Sequence, residues 1–374
     1  MQPYDPQRPA SPGTFAGRHE LLEFAGNALR VAATLHRGSA ILLYGYRGSG
    51  KTSALRKIQS IVRDTTPHGV VIEVPLRVPS TEAMLVHSIA EMVRREVTSQ
   101  EKLTSRMKKA LGNLSAVTVL GSGIERTKPL PFTPSTLLTV WKDALLALGD
   151  LPLLAISIDD AELLKAGEIG ILKTMVETDS PVPILMVVAG GPELIEKLSL
   201  REASPILRSF SGAVFDIGQF SEVETLEALE APVKQIKGTG RWDASAVKAI
   251  HHLTHGYPYL VQCFAAAAYQ DSRRIKGEDV QRAIPGAMQL ASSWLERELP
   301  EASDEDIRAF AKIATSGKVE FRSSDAIRMG INHIYLSRLT TQGVLKRLAR
   351  GHYELRMAPA IAYFHALRRG LSAV

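Results

Sequence analysis

The sequence has 374 residues, 45% of them hydrophobic, with 45 lysines and arginines against 39 acids and a net charge of +6. A chain of this length and composition can bury cores in about two or three domains, which excludes disorder over the whole chain. The single cysteine, Cys263, excludes a disulfide framework and is typical of a reducing cytoplasm. No apolar stretch approaches the roughly 20 residues of a membrane helix, so we expect a cytoplasmic protein without a membrane partner.

The N-terminal part of the chain alternates short apolar runs with amphipathic segments. A proline at every third position from Pro3 to Pro12 predicts a flexible, extended tail over residues 1–14. Strands are predicted at residues 39–44, 70–75, 153–158, 184–189 and 213–217. Helices are predicted at residues 51–63 and 81–111, and a further helix is predicted to open in the segment 15–22 and to run to about residue 35. This alternation indicates an α/β fold with a parallel sheet covered on both faces.

The strands stop after Phe220, and mainly helical patterns follow. Ser221-Glu222-Val223-Glu224 resembles a capping box, which begins a helix. Residues 221–303 are predicted to be helices that end in an acidic connector. From residue 304 onward the pattern is three helices and a hairpin over residues 343–357, which describes a winged helix, a relative of the helix-turn-helix.

The segment Gly45-Tyr46-Arg47-Gly48-Ser49-Gly50-Lys51-Thr52 matches the pattern G-x-x-x-x-G-K-[ST] between a predicted strand and a predicted helix. Glycines let backbone N–H groups converge on phosphate oxygens, and the helix start adds unpaired N–H groups and positive charge. In such loops the lysine reaches the β- and γ-phosphates, and the hydroxyl of the last residue binds Mg²⁺. The pattern predicts ATP and Mg²⁺ as cofactors. The candidate binding residues are Gly45, Gly48, Ser49, Gly50, Lys51, Thr52 and Ser53.

Two acids, Asp159 and Asp160, follow the apolar strand at residues 153–158. We expect Asp159 to hold Mg²⁺ and Asp160 to orient or deprotonate the attacking water, since a carboxylate can accept a proton beside a bound cation. Glu162 is a third candidate, in an assisting role. The alternative, a strand that ends in merely solvated acids, is disfavoured by the phosphate loop.

These motifs resemble the AAA+ superfamily, in particular its initiator-like branch of archaeal origin-recognition ATPases and the neighbouring STAND signalling NTPases. The resemblance covers about residues 14–370. It implies a P-loop AAA+ parallel-sheet core over residues 15–220, a helical lid with its connector over residues 221–303, and a C-terminal winged helix over residues 304–374. It also implies ATP hydrolysis and an ATP-dependent homo-oligomer.

Three further segments resemble the family's motifs. Phe15-Ala16-Gly17-Arg18-His19-Glu20 is similar to a segment that lies against the adenine, so Gly17 and Arg18 are candidate contacts, with an ordinary helix start as the alternative. Arg208 is the candidate arginine finger, Arg201 is the second choice, and an ordinary surface arginine is the alternative. Pro258 belongs to a turn similar to the lid turn whose proline packs near the adenine, with a helix start in which the proline is merely structural as the alternative.

Two positions depart from the family's pattern. The strand at residues 184–189 ends at Ala189 and Gly190, where relatives often place an asparagine, threonine or serine that touches the γ-phosphate. Tyr259 stands in the place of the family's sensor-2 arginine and cannot supply a positive charge. These departures predict slow hydrolysis.

Positive charge is concentrated in the C-terminal part of the chain. Residues 308–374 hold twelve lysines and arginines but only three acids, a net of +9, although the net falls to +6 when the count begins at Asp304. Segregated positive charge on a winged helix is typical of proteins that bind double-stranded DNA. The predicted recognition helix covers about residues 331–341 and the wing about residues 346–356. The candidate contacts are Asn332, His333, Arg338, Lys346, Arg347 and Arg350.

Three functions remain open at this point. The first is a DNA-associated AAA+ switch. The second is a STAND-like signalling or defence ATPase, whose winged helix packs internally or docks a partner protein and whose effector is a separate protein. The third is an ATPase that regulates a transposase or a nuclease.

Overall fold

The computed structural model describes residues 2–35, 38–66, 68–74, 76, 82–99, 134–149, 151–177, 181–199, 210, 213–271 and 273–371. The chain divides into two units, which we call the sheet unit (residues 18–218) and the helical unit (residues 1–17 with 219–374). The predicted lid and the predicted winged helix both belong to the helical unit. The two candidate arginine fingers, Arg201 and Arg208, lie outside the described residues.

The sheet unit contains a five-stranded parallel sheet, which confirms the predicted α/β fold. Its strands are β1 (Ser39–Tyr44), β2 (Val70–Val74), β3 (Leu154–Ile158), β4 (Ile184–Gly190) and β5 (Val214–Asp216). Its helices are α1 (His19–Leu35), α2 (Lys51–Thr65), α3 (Glu82–Ser99), α4 (Pro134–Ala147), α5 (Ala166–Glu177) and α6 (Pro192–Ser199). Every residue of β3 and β4 is buried, as expected for a parallel sheet with both faces covered.

The order of the strands is β2-β3-β4-β1-β5, so β4 lies between β3 and β1. Tyr44 of β1 pairs with Gly190 of β4, and Ile158 of β3 pairs with Val188 of β4. The carboxyl ends of these three neighbouring strands therefore meet at one edge of the sheet. In open α/β sheets this edge is where ligands bind.

Residues 221–295 of the helical unit form mainly helices, and the first of them begins as predicted. Its elements are α7 (Glu222–Gln235), β6 (Arg241–Trp242), α8 (Ala244–Thr254), α9 (Pro258–Ala268), β7 (Arg274–Ile275) and α10 (Gly277–Leu295). The capping box before α7 is confirmed, because the Ser221 hydroxyl accepts from the Glu224 N–H while the Glu224 carboxylate accepts from the Ser221 N–H. None of the described helices is long and apolar enough to cross a membrane.

The winged helix is confirmed, with one strand and one helix more than predicted. Its elements are α11 (Asp304–Thr315), β8 (Glu320–Arg322), α12 (Ser323–Arg328), α13 (His333–Thr341), β9 (Leu345–Ala349), β10 (His352–Leu355) and α14 (Pro359–Arg368). Strand β8 pairs with β10 to give a three-stranded antiparallel sheet in the order β8-β10-β9. Phe321, which is the buried residue of β8, stacks on Tyr353 of β10 with 5.9 Å between the ring centroids.

The acidic connector between α10 and α11 is fixed by the C-terminal helix α14. Arg368 pairs with Glu296 at 3.1 Å, and Arg369 donates a hydrogen bond of 2.8 Å to the carbonyl of Ala302. These contacts bind both ends of the connector to one helix. Side-chain contacts from the end of α14 to the connector therefore hold the winged helix to the helices before it, in addition to the covalent chain.

The N-terminal segment differs from the flexible tail that the prolines predict. The ring of Tyr4 is only 4% exposed and meets the ring of Tyr269 edge to face at 5.5 Å. Its hydroxyl donates to the carbonyl of Leu229 and accepts from the indole Nε1 of Trp242 at 2.8 Å. Burial of one large aromatic ring with a satisfied hydroxyl holds the segment on the helical unit.

We expect Tyr4→Ala to lower the free energy of unfolding by about 3 kcal/mol, because it removes a buried aromatic ring. Tyr4→Phe should cost about 1 kcal/mol, since it leaves the Trp242 indole N–H without its acceptor. Urea unfolding followed by tryptophan fluorescence measures both changes, with the exposed Gln7→Ala as the control. Unfolding of the Tyr4→Ala variant at the wild-type urea concentration would show that this segment is not part of the folded unit.

Candidate nucleotide site and basic winged-helix surface

The predicted phosphate loop lies between β1, which ends at Tyr44, and α2, which begins at Lys51. Gly48 and Gly50 have φ angles of 83° and 97°, in the left-handed region that glycine adopts without strain. A Cβ atom at Gly45 would lie 2.5 Å from the carbonyl oxygen of Ile217, so no larger residue fits there. A Cβ atom at Gly50, in contrast, would have no atom of the described residues within 4 Å, so the backbone there is open to close approach by a ligand, as a phosphate cradle requires.

The side chain of Lys51 folds back over this loop. Its Nζ donates hydrogen bonds of 2.8 Å to the carbonyl of Gly45 and of 3.1 Å to the carbonyl of Tyr46. Burial lowers the pKa of Lys51 below that of a free lysine, and the carboxylates of Glu162 and Asp159 counteract this shift. A phosphate would give the same ammonium group a charged acceptor, which makes a stronger hydrogen bond than a carbonyl.

Thr52 of the loop reaches the acid at the end of β3. Its Oγ1 donates a hydrogen bond of 2.5 Å to Oδ2 of Asp159, which directly follows β3. Hydroxyl and carboxylate oxygens are ligands that Mg²⁺ prefers. In the loop itself, the hydroxyl of Ser49 is buried and has no hydrogen-bond partner among the described residues. The oxygen pair, the open glycine backbone and this unpartnered hydroxyl together fit a magnesium-bound nucleotide.

The other two predicted acids lie beside this pair. Asp160 adopts a left-handed conformation with φ of 52°, and its N–H donates to Oδ1 of Asp159 at 3.0 Å. Burial, followed by the neighbouring Asp159 carboxylate, raises the pKa of Asp160, whereas the Lys51 ammonium lowers it. A carboxylate with a raised pKa is a better proton acceptor near neutral pH. Glu162 accepts a hydrogen bond of 2.8 Å from the N–H of Gly191, which the sequence did not predict.

The candidate adenine contacts lie on either side of the boundary between the units. Gly17 has a φ of 67°, and its N–H donates to the Glu227 carboxylate at 3.0 Å within the helical unit. Arg18, with a φ of 61°, donates to the carbonyl of Gly218 within the sheet unit. Ser53 lies in the first turn of α2. The adenine-binding role of Gly17 and Arg18 remains a prediction.

Pro258 is the buried first residue of α9, where a proline needs no hydrogen-bond donor. The next residue, Tyr259, donates from its hydroxyl to the carbonyl of Leu290 at 3.3 Å, and its ring lies 6.0 Å from that of Trp294. Tyr259 is therefore engaged by packing within the helical unit. The role of Pro258 near the adenine also remains a prediction.

The candidate DNA-binding residues fall into two groups. Lys346 and Arg347 on β9, Arg350 in the turn that follows, and His333 at the start of α13 are all exposed. Asn332, in contrast, caps α13, because its side-chain oxygen accepts from the N–H of Ile334 at 3.2 Å.

Arg338 differs from the free basic side chain that the sequence predicts. It donates to Oδ2 of Asp306 at 2.7 Å, and Asp306 is completely buried. The same carboxylate accepts the N–H of Ser303 at 2.9 Å in the capping box of α11. Ser303 and Asp306 show the spacing of a capping box in the sequence, but nothing in that spacing identifies Arg338, 32 residues away, as the third partner.

Comparison with known proteins begins with two family models. Residues 14–188 match the AAA ATPase domain, and residues 305–356 match the family described as transcriptional regulator, AbiEi antitoxin. Among curated proteins, none has significant sequence similarity to this chain.

Solved structures from archaea resemble the whole chain. The ORC2 protein of Aeropyrum pernix, solved in ADPNP–ADP complexes, is 14% identical with a TM-score of 0.54, over 95% of this chain and 93% of that chain. The Walker-type ATPase PABY2304 of Pyrococcus abyssi is 15% identical with a TM-score of 0.48, over 96% and 98% of the two chains. Cdc6p from Pyrobaculum aerophilum is 14% identical with a TM-score of 0.48, over 99% and 97%. The likeness to ORC2 confirms the predicted fold.

The ion pair between Arg338 and Asp306 is expected to contribute to the free energy of unfolding. We expect Arg338→Ala to lower the free energy of unfolding by about 1–3 kcal/mol, because a buried carboxylate loses its charged partner. Arg328→Ala is the matched control. Arg328 is 81% exposed on α12 and lies 3.9 Å from Asp325, so its loss should cost less than about 0.5 kcal/mol. Equal effects of the two variants in urea unfolding would contradict the assignment.

Proposed function

We propose that this chain, whose residues 14–188 are an AAA ATPase domain, is an ATP-binding switch that hydrolyses ATP slowly and associates with double-stranded DNA. The observation that carries the proposal is the 2.5 Å contact between Thr52 and Asp159 beside the ammonium group of Lys51. It joins the two elements that a magnesium-dependent ATPase needs, a phosphate loop and a strand-end carboxylate.

The residues of the site divide the work as follows. The loop N–H groups and Lys51 bind the phosphates, while Thr52 and Asp159 hold Mg²⁺. When bound, Mg²⁺ neutralises charge on the phosphate oxygens. Asp160 orients the attacking water and accepts its proton at a carboxylate oxygen. Because burial and Asp159 raise the pKa of Asp160, its basic form is lost on acidification earlier than that of an ordinary aspartate.

Two features support slow turnover. Strand β4 ends at Gly190, which has no side chain to touch a phosphate. Tyr259 contributes a phenol instead of a cation, and its hydroxyl is bonded to Leu290. Faster hydrolysis would then require a charge from a second subunit, and the proposed homo-oligomer with Arg208 as its finger supplies one.

The exposed lysine and arginines of the wing support the DNA partner. Lys346, Arg347 and Arg350 lie on one strand and its turn, within the region that matches the transcriptional-regulator family. Closely spaced cations on a wing suit phosphate contacts, which supply most non-specific affinity for DNA.

A second candidate function is a STAND-like ATPase whose winged helix docks a partner protein. It is favoured by two large apolar side chains on the same domain, Ile327 and Ile334, which are 67% and 53% exposed. Exposed apolar side chains of this size are common at protein interfaces.

The ATPase proposal is tested by nucleotide binding and hydrolysis of Lys51→Ala and Asp160→Ala. We expect Lys51→Ala to bind ATP about 100-fold more weakly or not at all, because a charged hydrogen-bond donor is lost. Asp160→Ala should bind ATP normally and hydrolyse it at least about 100-fold more slowly, so that ATP is trapped. Arg63→Ala, exposed at the other end of α2, is the control. Wild-type nucleotide retention by the Lys51 variant would refute the proposal.

The DNA proposal is tested by duplex binding at several salt concentrations. Replacing both Lys346 and Arg350 by alanine should weaken binding and reduce the slope of log K against log salt by about 2, since each lost phosphate contact removes about 1. Arg282→Ala, exposed on α10 outside the winged helix, should leave the slope unchanged. Wild-type affinity that barely changes between low and moderate salt would reject DNA in favour of protein docking.

A further inference from the structure

The peptide group between Gly190 and Gly191 is hydrogen-bonded on both of its sides. Its carbonyl oxygen accepts from the N–H of Gly45, the first residue of the phosphate loop, at 3.2 Å. Its N–H donates to Oε2 of Glu162 at 2.8 Å. One peptide plane therefore connects the start of the phosphate loop to the Glu162 carboxylate.

The order of the strands puts this peptide where it can make both bonds. Strand β4 lies between β1, which leads into the loop, and β3, which leads to the acids. Glu162 lies in a short 3₁₀ turn, Ala161–Leu163, after those acids. The C=O and N–H of a trans peptide point in opposite directions, so one group can reach each neighbour.

Gly190 is the residue that leaves room for this arrangement. A Cβ atom there would lie 2.9 Å from Oε2 of Glu162 and 2.7 Å from Cδ2 of Leu194, and both distances are closer than real Cβ atoms approach. A glycine at this strand end therefore lets the Glu162 carboxylate approach without any shift of its side chain or of Leu194.

Glu162 is held from its backbone as well as from its carboxylate. The ammonium group of Lys197 donates to the carbonyl of Glu162 and lies 3.5 Å from the carbonyl of Leu164. Among the carboxylates that counteract the effect of burial on Lys51, Glu162 is the strongest. The turn is thus held at the carboxylate and at the backbone carbonyl of Glu162, and the negative charge of Glu162 lies near the phosphate-loop residue Lys51.

We propose that Glu162 is a positioning residue for ATP hydrolysis, which fixes the start of the phosphate loop through the Gly190–Gly191 peptide. Its carboxylate acts as a hydrogen-bond acceptor for Gly191 and not as a base or a metal ligand. This inference rests on the proposed ATPase function, because the loop that it orients is the one proposed to hold the phosphates. It assigns the carboxylate a role in hydrolysis that is exerted through the backbone at the start of the phosphate loop, in addition to its charge near Lys51.

Three variants separate the hydrogen bond from the charge. Glu162→Gln keeps an acceptor oxygen for Gly191 and loses the charge, whereas Glu162→Ala loses both. Gly190→Ala keeps Glu162 and pushes its carboxylate away. Glu196→Ala, exposed on α6, is the matched control for the loss of a nearby carboxylate.

The first measurement needs no nucleotide. Hydrogen–deuterium exchange of the free protein should show the Gly191 amide exchanging about ten-fold faster in Glu162→Ala and Gly190→Ala, because it loses one hydrogen bond worth about that factor. The Gly45 amide should also exchange faster, because the peptide that accepts its hydrogen bond is then no longer held by Glu162. Glu162→Gln and Glu196→Ala should exchange at the wild-type rate. Unchanged exchange in Glu162→Ala would overturn the proposal, even if Gly190→Ala fails to fold.

The second measurement compares ATP hydrolysis with ATP affinity. We expect kcat to fall about ten-fold in Glu162→Ala and Gly190→Ala with the Kd for ATP within about three-fold of wild type, and Glu162→Gln to keep wild-type kcat. A Glu162→Gln variant as slow as Glu162→Ala would mean that the charge is used, which would overturn the positioning role. Failure of the ATPase proposal has a different signature, since the wild-type protein would then neither bind nor hydrolyse ATP.

Discussion

The contact between Thr52 and Asp159 is the constraint on which the sheet unit depends. The two residues are 107 positions apart and meet because Thr52, in the first turn of α2, and Asp159, directly after β3, lie at the same edge of the sheet. Their strands, β1 and β3, are not neighbours, since β4 lies between them. The end of β4 therefore passes between the phosphate loop and the acids, and Gly190 does so without a Cβ atom that would crowd the side chains of Glu162 and Leu194.

The same constraint explains how a partly buried lysine is kept among backbone groups. Packing of the loop against the strand ends removes part of the water around Lys51, which disfavours its charged form. Carboxylates from the β3 side counteract that cost, and two loop carbonyls accept its hydrogen bonds. In turn, burial and then the neighbouring carboxylate of Asp159 raise the pKa of Asp160. In the proposed nucleotide complex, a divalent cation and a polyphosphate would relieve both effects at once, because they would bring charge of each sign to the opposite group.

The sequence predicted those parts of the molecule in which the signal is local. The loop, the strand-end acids and the capping box at Ser221 each lie within eight consecutive residues, so spacing alone identifies them. The hydrogen bond from Gly191 to Glu162 spans 29 positions, and the bond from Tyr4 to Leu229 spans 225. Such pairs depend on strand order and helix packing, which a single sequence does not determine. The sequence did not predict strand β8, because three residues are too few to show a periodic pattern.

The net charge of the winged helix overstates the number of its cations that are free of an ion pair. The count of +9 over residues 308–374 treats every arginine alike, yet Arg368 and Arg369 pair with Glu296 and Asp304, which lie outside that window. Arg338 likewise pairs with a buried carboxylate. Within the described part of the chain, the wing residues Lys346, Arg347 and Arg350 form no ion pair and stay exposed. Three exposed cations without an ion pair therefore lie together on β9 and its turn, so in the proposed DNA complex the wing and not the C-terminal helix would face the phosphates.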